Sequence, residues 1–259
     1  MSMEIVVSVL MVLMMVYILT GTVRMLRQTR SLLPVVLFGF GIACELLSSL
    51  YWIAYDLMRP DTRMPIAANE IAEWAAFLLL ASSLRHDIPS DRKKAVKEMA
   101  AAAVFTAANA ALWIGWSGEW VEDILTGAAL GYFICVLVSC LKHTKVFSKK
   151  EWVIIAILSF VLAASQAVTF FVSEPIRKSL DMFCYVLIFA GIAFFFIKTA
   201  LSFRSGSAKE MICLSNASLA WCAISMYMSS GWFYIAAFIG SAVSFMSIFL
   251  AHKREVKTA

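Results

Sequence analysis

The chain has 259 residues, of which 62% are hydrophobic and 15% are charged, and its mean hydropathy is +0.84. A soluble domain carries roughly 25% charged residues, so this composition predicts an integral membrane protein and leaves no room for a soluble catalytic domain. The formal charge of +5 does not indicate nucleic-acid binding, because the basic residues lie in short loops between apolar segments, where they set membrane orientation.

Nine apolar segments follow one another along the chain, and each has about the 20 residues that a helix needs to cross a bilayer. The segments cover residues 3–23, 32–57, 65–84, 97–117, 121–141, 152–173, 180–203, 209–228 and 231–251. The predicted fold is therefore all-α. We expect a polytopic membrane helix bundle of about nine transmembrane helices, with residues 1–259 forming a single integral membrane domain.

The distribution of charge predicts the orientation of these segments. No basic residue precedes the first segment and Arg24 and Arg27 follow it, which indicates a retained span with its N-terminus outside rather than a cleaved signal peptide. In this orientation 18 of the 22 basic residues fall on the inner side, whereas acidic residues such as Glu119, Glu122 and Asp123 mark outer loops. We expect a cell-membrane protein with its C-terminus inside and with anionic lipid as a partner of the basic inner loops.

The second and third segments carry acidic side chains where the pattern predicts hydrocarbon. Glu45 lies in the second segment, and Asn69, Glu70 and Glu73 lie close together on the third. A charge at membrane depth costs roughly 2.5–3.5 kcal/mol on insertion scales, so such residues face protein or water and are functional candidates by default. Counted at 1.5 Å per residue from the outer helix ends, Glu70, Glu73 and Glu45 are expected at depths of about 7, 12 and 20 Å. We call these three acids the carboxylate site.

Other side chains of the same helical hairpin are candidates for lining the carboxylate site. Trp52 and Asp56 share a face of the second helix with Glu45, and Trp74 follows the acids on the third. Indole rings attract cations, so both tryptophans suit a cationic ligand. Arg63, in the loop between the two helices, is a candidate charged partner, although a polar loop of this kind is more often solvated.

Beyond the third segment we expect only uncharged polar side chains within the spans. They are Thr106, Asn109, Thr126, Ser165, Gln166, Thr169, Ser215 and Asn216. Each is a candidate for completing a cavity around the acids, but hydrogen bonding between packed helices is the commoner role. Gly127 and Gly131 predict close packing of the fifth segment on the fourth, and Lys198 is expected to snorkel to the inner interface.

No pattern in the sequence indicates an enzyme, a cofactor or a metal. The six cysteines lie in apolar runs without a Cys-x-x-Cys pair, and His86, His143 and His252 fall in inner loops or at an inner end. The residue patterns of an intramembrane hydrolase and of a phosphate-cradling glycine loop are missing. We therefore expect no catalytic activity, no cofactor and no metal site.

Two functional classes remain open. In the favoured one, the carboxylate site binds a proton, a cation or a cationic small molecule for transport, because loss of water favours the protonated form of a carboxyl group. In the other, the protein is a sensor or a partner subunit of a larger membrane complex and uses the site to bind a signal or another membrane protein. The short loops suit both classes.

Overall fold

The computed structural model describes residues 3–28, 32–59, 68–86, 92–117, 119–228 and 231–258. Within these ranges the chain forms nine α-helices and no strand, which confirms the all-α prediction. The helices are α1 (Met3–Leu26), α2 (Leu32–Met58), α3 (Ala68–Arg85), α4 (Arg92–Ser117), α5 (Trp120–His143), α6 (Lys149–Thr169), α7 (Glu174–Ser205), α8 (Ala208–Tyr227) and α9 (Gly231–Thr258). Each of them overlaps one predicted apolar segment.

Six of the described helices are long and apolar enough to cross a membrane, namely α1, α2, α5, α6, α7 and α9. In α8, 14 of the 20 residues are buried against protein. A helix surrounded by other helices does not have to match lipid, so Ser215 and Asn216 are tolerated in its interior.

The helices form two compact units. Unit 1 contains Met1–Cys140 and Phe249–Ala259, and unit 2 contains Leu141–Ile248. Both α5 and α9 therefore contribute residues to each unit.

In unit 1, α1 packs on α2 and α2 packs on α3. The Ser83 hydroxyl of α3 donates to the Pro34 carbonyl near the start of α2 at 3.0 Å. Further along α2, a Cβ atom on Gly41 would touch the side chain of Leu80 at 3.5 Å. The residue numbers of the contacting residues thus decrease along α3 as they increase along α2. The two helices therefore form the antiparallel hairpin that the sequence predicts.

The close packing predicted between α4 and α5 is confirmed. A Cβ atom on Gly131 would lie 2.7 Å from the ring of Phe105, and one on Gly127 would lie 3.3 Å from the Cα atom of Thr106. Only glycine leaves room for helices at this separation.

In unit 2, Trp221 fixes α8 against α7. Its indole N–H donates to the Ile188 carbonyl at 2.9 Å, and its ring packs beside Phe195 with the ring centroids 5.7 Å apart. The ring lies over Gly191, where a Cβ atom would come within 2.1 Å of the indole. The indole ring of Trp221 therefore fits against α7 because Gly191 has no side chain.

We expect Gly191→Ala to destabilise unit 2 by about 1–3 kcal/mol, because the added methyl group forces the Trp221 ring out of its place. A loss of stability would identify the steric clash, because alanine is the better helix former by about 1 kcal/mol and would otherwise stabilise the helix. The matched control is Gly41→Ala, where the new methyl group meets Leu80 only at an ordinary contact distance of 3.5 Å. Thermal unfolding of the purified protein should show a lower Tm for Gly191→Ala alone; equal responses of the two variants would contradict the packing described.

An ion pair joins α6 to α7. The ammonium group of Lys198, which the sequence predicts to snorkel to the inner interface, pairs with Glu151 and lies 5.9 Å from the centre of the Phe147 ring. Glu151 is also the third residue of α6, where it forms a capping box with Ser148. This carboxylate therefore serves both the start of α6 and its attachment to α7.

Candidate functional site

The antiparallel hairpin of unit 1 brings two of the predicted acids together. Glu45 on α2 and Glu73 on α3 lie close enough for their carboxyl groups to interact electrostatically. Both side chains are half-buried. Two carboxylates at this separation repel each other unless a proton or a cation lies between them.

The expected difference in depth between these two acids is wrong. The contacts of Gly41 with Leu80 and Ala76 place Glu45, one turn further along α2, at the level of Glu73 rather than about 8 Å deeper. The reason is that the two helix ends are not level. From Glu45, α2 continues for about 20 Å to Met58, whereas α3 begins at Ala68, about 8 Å before Glu73.

The third acid of the carboxylate site lies near a group of acids at the start of α5. Glu70 interacts electrostatically with Glu122, which also interacts with Glu119 and Asp123. The sequence predicts these acids only in an outer loop, and no local pattern indicates that they lie beside Glu70.

Four carboxyl groups therefore lie near one another where α3 meets the start of α5, namely those of Glu70, Glu119, Glu122 and Asp123. Ionised carboxylates so close together repel one another, and the repulsion is relieved when a proton or a cation lies between them. Glu70 is the member of this group that belongs to the carboxylate site.

Two hydrogen bonds hold α3 and α4 against the first turns of α5. The indole N–H of Trp74 donates to the Thr126 hydroxyl at 2.8 Å, and the Asn109 amide donates to the Asp123 carbonyl at 3.0 Å. The N–H group of Trp74 is thus used between helices. These contacts fix the acids of α3 relative to those of α5.

Asn69 adds a buried acceptor beside the carboxylate site. Its side chain is only 8% exposed, and its Oδ1 atom accepts no hydrogen bond from any residue that the structure describes. Asn69 lies one helical turn before Glu73, so the two side chains share a face of α3. A free acceptor at this position suits a proton donor or a cation.

The remaining predicted site residues lie towards the loop that joins α2 to α3. Trp52 and Asp56 are half-buried on α2, two and three turns beyond Glu45. Arg63 lies outside the described residues.

A second charged group lies at the other end of the α3–α4–α5 assembly. Arg85, the last residue of α3, forms an ion pair with Glu98 of α4, and the Ser139 hydroxyl of α5 donates to the same carboxylate at 2.5 Å. Glu98 is buried, so the expectation of only uncharged polar side chains beyond the third segment is wrong. It failed because α4 begins at Arg92, five residues earlier than predicted, which places Glu98 inside the helix.

The uncharged polar residues named above are divided between the units. Thr106, Asn109 and Thr126 belong to unit 1, and the five that follow them along the chain belong to unit 2. In the described ranges, no three His, Cys, Asp or Glu side chains are placed to hold a metal ion. His252 is buried at the end of α9, with its ring 5.0 Å from that of Phe38.

The fold and the composition together define a class, an all-helical protein in which several helices are apolar and long enough to cross a membrane. Comparison with protein-family models, with curated proteins and with solved structures finds no match to this chain.

Proposed function

We propose that this chain is a multi-pass transporter of the cell membrane that binds a proton, a cation or a cationic small molecule at its carboxyl groups. The observation that carries the proposal is the approach of carboxyl groups from neighbouring helices, Glu45 to Glu73 and Glu70 to Glu122, because such groups repel each other unless a proton or a cation lies between them. The proton is the first candidate among the three ligand classes, because a carboxyl group relieves this repulsion by taking up a proton. Chains of acidic side chains at membrane depth are typical of proton pathways.

The positions of the acids suggest a route. A proton bound by Glu122 can pass to Glu70, which interacts with Glu122 across helices. Glu73 is one turn further along α3, and Glu45 lies at its level on α2. At each step the proton passes from one carboxyl group to a neighbouring carboxylate. The total charge of the two groups therefore does not change, and no isolated charge has to form. Glu98 is excluded from the route, since Arg85 already neutralises it.

The membrane topology that we propose has nine crossings, with the N-terminus outside and the C-terminus inside. Support comes from α1 and α9, whose C-terminal turns line one cavity of unit 1. Successive crossings alternate in direction, so the first and the ninth run the same way. If only the six most apolar helices crossed, α9 would be the sixth and its C-terminal end would lie opposite that of α1. The shared end is also rich in basic residues, as expected of an inner surface.

We propose that the chain acts without catalysis, and that neither a cofactor nor nucleic acid takes part. The alternative is a sensor or a partner subunit of a larger membrane complex. It uses the same acids to bind a signal or a helix of another protein, but it predicts no movement of solute across the bilayer.

The test is proton movement in vesicles that contain the purified full-length protein and a pH-sensitive dye. Under an imposed membrane potential, we expect a proton flux at least about ten-fold above that of empty vesicles. Glu73→Gln should reduce the flux to the background level, because the amide cannot exchange a proton. Glu174→Gln is the matched control, since Glu174 is an exposed acid at the start of α7, and it should leave the flux unchanged.

Flux that persists in Glu73→Gln would exclude the proposed route. If protons do not move, the same vesicles are tested with Na⁺ and with tetramethylammonium. No movement of any of the three ions would reject transport in favour of the sensor or subunit role. In that case, a second membrane protein should co-purify with the wild type from native membranes.

A further inference from the structure

Unit 1 contains a cavity that has no part in the carboxylate site. It has a volume of about 410 Å³ and lies between the last turns of α1 and the last turns of α9. Three of its lining residues are basic, namely Arg24 of α1 and Lys253 and Lys257 of α9. We call it the basic cavity.

Among the described residues that line the basic cavity, none is acidic. In the part of the chain that the structure describes, Arg24, Lys253 and Lys257 form no ion pair with an acidic side chain, and all three are exposed. Three like charges around one cavity repel each other, and this repulsion is relieved when an anion lies between them. The charge of the basic cavity therefore favours an anionic ligand.

The walls of the basic cavity add an apolar component. Phe249 packs into the space that Gly21 leaves, where a Cβ atom would lie 2.4 Å from its ring. Tyr17 meets Phe249 edge to face, with the ring centroids 6.0 Å apart, and its side chain is 59% exposed. Leu13, one turn before Tyr17 on α1, is 61% exposed. An apolar strip thus leads from the cations along the outside of α1 towards the middle of the helix.

We propose that the basic cavity binds an anionic phospholipid, with the headgroup phosphate between Arg24, Lys253 and Lys257 and an acyl chain along Tyr17 and Leu13. Basic pockets between helices at the inner membrane surface bind such headgroups, and the apolar strip distinguishes a lipid from a free phosphate ion. The bound lipid joins the last turns of α1 to those of α9. This site does not depend on the transport proposed above.

The experiment measures the thermal stability of the full-length protein in detergent as lipid is added. Dioleoylphosphatidylglycerol should raise the Tm of the wild type, whereas dioleoylphosphatidylcholine at the same concentration should not. In the triple variant Arg24→Gln, Lys253→Gln, Lys257→Gln, we expect binding of phosphatidylglycerol to weaken on the order of a hundred-fold, since each cation near an anionic headgroup contributes about 1 kcal/mol.

A matched triple variant removes the same amount of charge elsewhere. Arg59→Gln, Arg177→Gln, Lys178→Gln changes three exposed basic residues that neither line the basic cavity nor belong to the basic inner loops, and it should respond to phosphatidylglycerol as the wild type does. If both triple variants lose the response equally, binding depends on net charge alone and the proposed site is wrong.

Two further measurements apply if the first triple variant is poorly folded. The charge-retaining variant Arg24→Lys, Lys253→Arg, Lys257→Arg should keep the response to phosphatidylglycerol, and its loss would contradict an electrostatic site. Inorganic phosphate at millimolar concentration should neither raise the Tm nor displace the lipid. Stabilisation by inorganic phosphate as strong as that by phosphatidylglycerol would overturn the lipid assignment in favour of a soluble phosphate ligand.

Discussion

Arg85→Met is expected to destabilise unit 1 by about 3–5 kcal/mol, because it leaves the buried Glu98 carboxylate without its counter-charge. The hydrogen bond from Ser139 remains, but one neutral donor does not compensate for the loss of water around a full charge. The measurements are the yield of folded protein and its resistance to thermal unfolding in detergent. Both should fall sharply in the variant.

The double variant Arg85→Met, Glu98→Met should recover most of the lost stability, since a buried ion pair replaced by apolar side chains of similar size is often neutral. Arg177→Met is the control: Arg177 pairs with Glu174 at 3.6 Å, but both side chains are more than half exposed. Breaking such an exposed pair should change stability by less than about 1 kcal/mol. A double variant as unstable as Arg85→Met would show that the arginine contributes packing rather than charge.

Glu45→Lys is expected to abolish proton flux while raising the stability of unit 1. In the wild type the carboxyl group of Glu45 lies near that of Glu73. A lysine ammonium group at position 45 replaces this repulsion by an ion pair and takes the place of the transported cation. The gain should be about 1 kcal/mol at a half-buried position, which corresponds to a rise in Tm of about 2–4 °C for a chain of this size.

The combination of higher Tm and lost flux is what identifies a functional acid pair, because a site under electrostatic strain is stabilised by mutations that disable it. Glu45→Gln removes the repulsion without adding a cation, so it should raise the Tm by less. Glu174→Lys reverses a charge at an exposed position and should alter neither property. A Glu45→Lys protein that is less stable than the wild type and still moves protons would refute the role assigned to the pair.

The sequence predicts the helices well because each apolar segment is long and is bounded by charged or turn-forming residues. It also predicts the hairpin of α2 and α3, since a short loop between two helices makes them antiparallel neighbours. Glu45 and Glu73 accordingly both lie where these two helices meet. The sequence does not predict that Glu45 and Glu73 lie at the same level along the hairpin, because this depends on how far α2 extends past the start of α3.

The sequence does not predict that the acids at the start of α5 lie near the carboxylate site. Glu119 and Glu122 have the composition of an ordinary outer loop, and nothing local indicates that α5 packs against α3 near Glu70. That contact depends on tertiary packing through Trp74 and Thr126. Glu98 was missed for a different reason, since an error of five residues in a helix boundary moved it from the interior of α4 to its end.

The enclosure of α8 has a consequence for how the protein is made. Because α8 contains several serines and Asn216, it has little tendency to move by itself from the insertion machinery into the lipid. Its groove is provided by α7, which is synthesised immediately before it and carries Gly191 and the Ile188 carbonyl. We therefore expect α7 to act as an intramolecular chaperone that holds α8 until α9 emerges, so that unit 2 assembles in the order of translation.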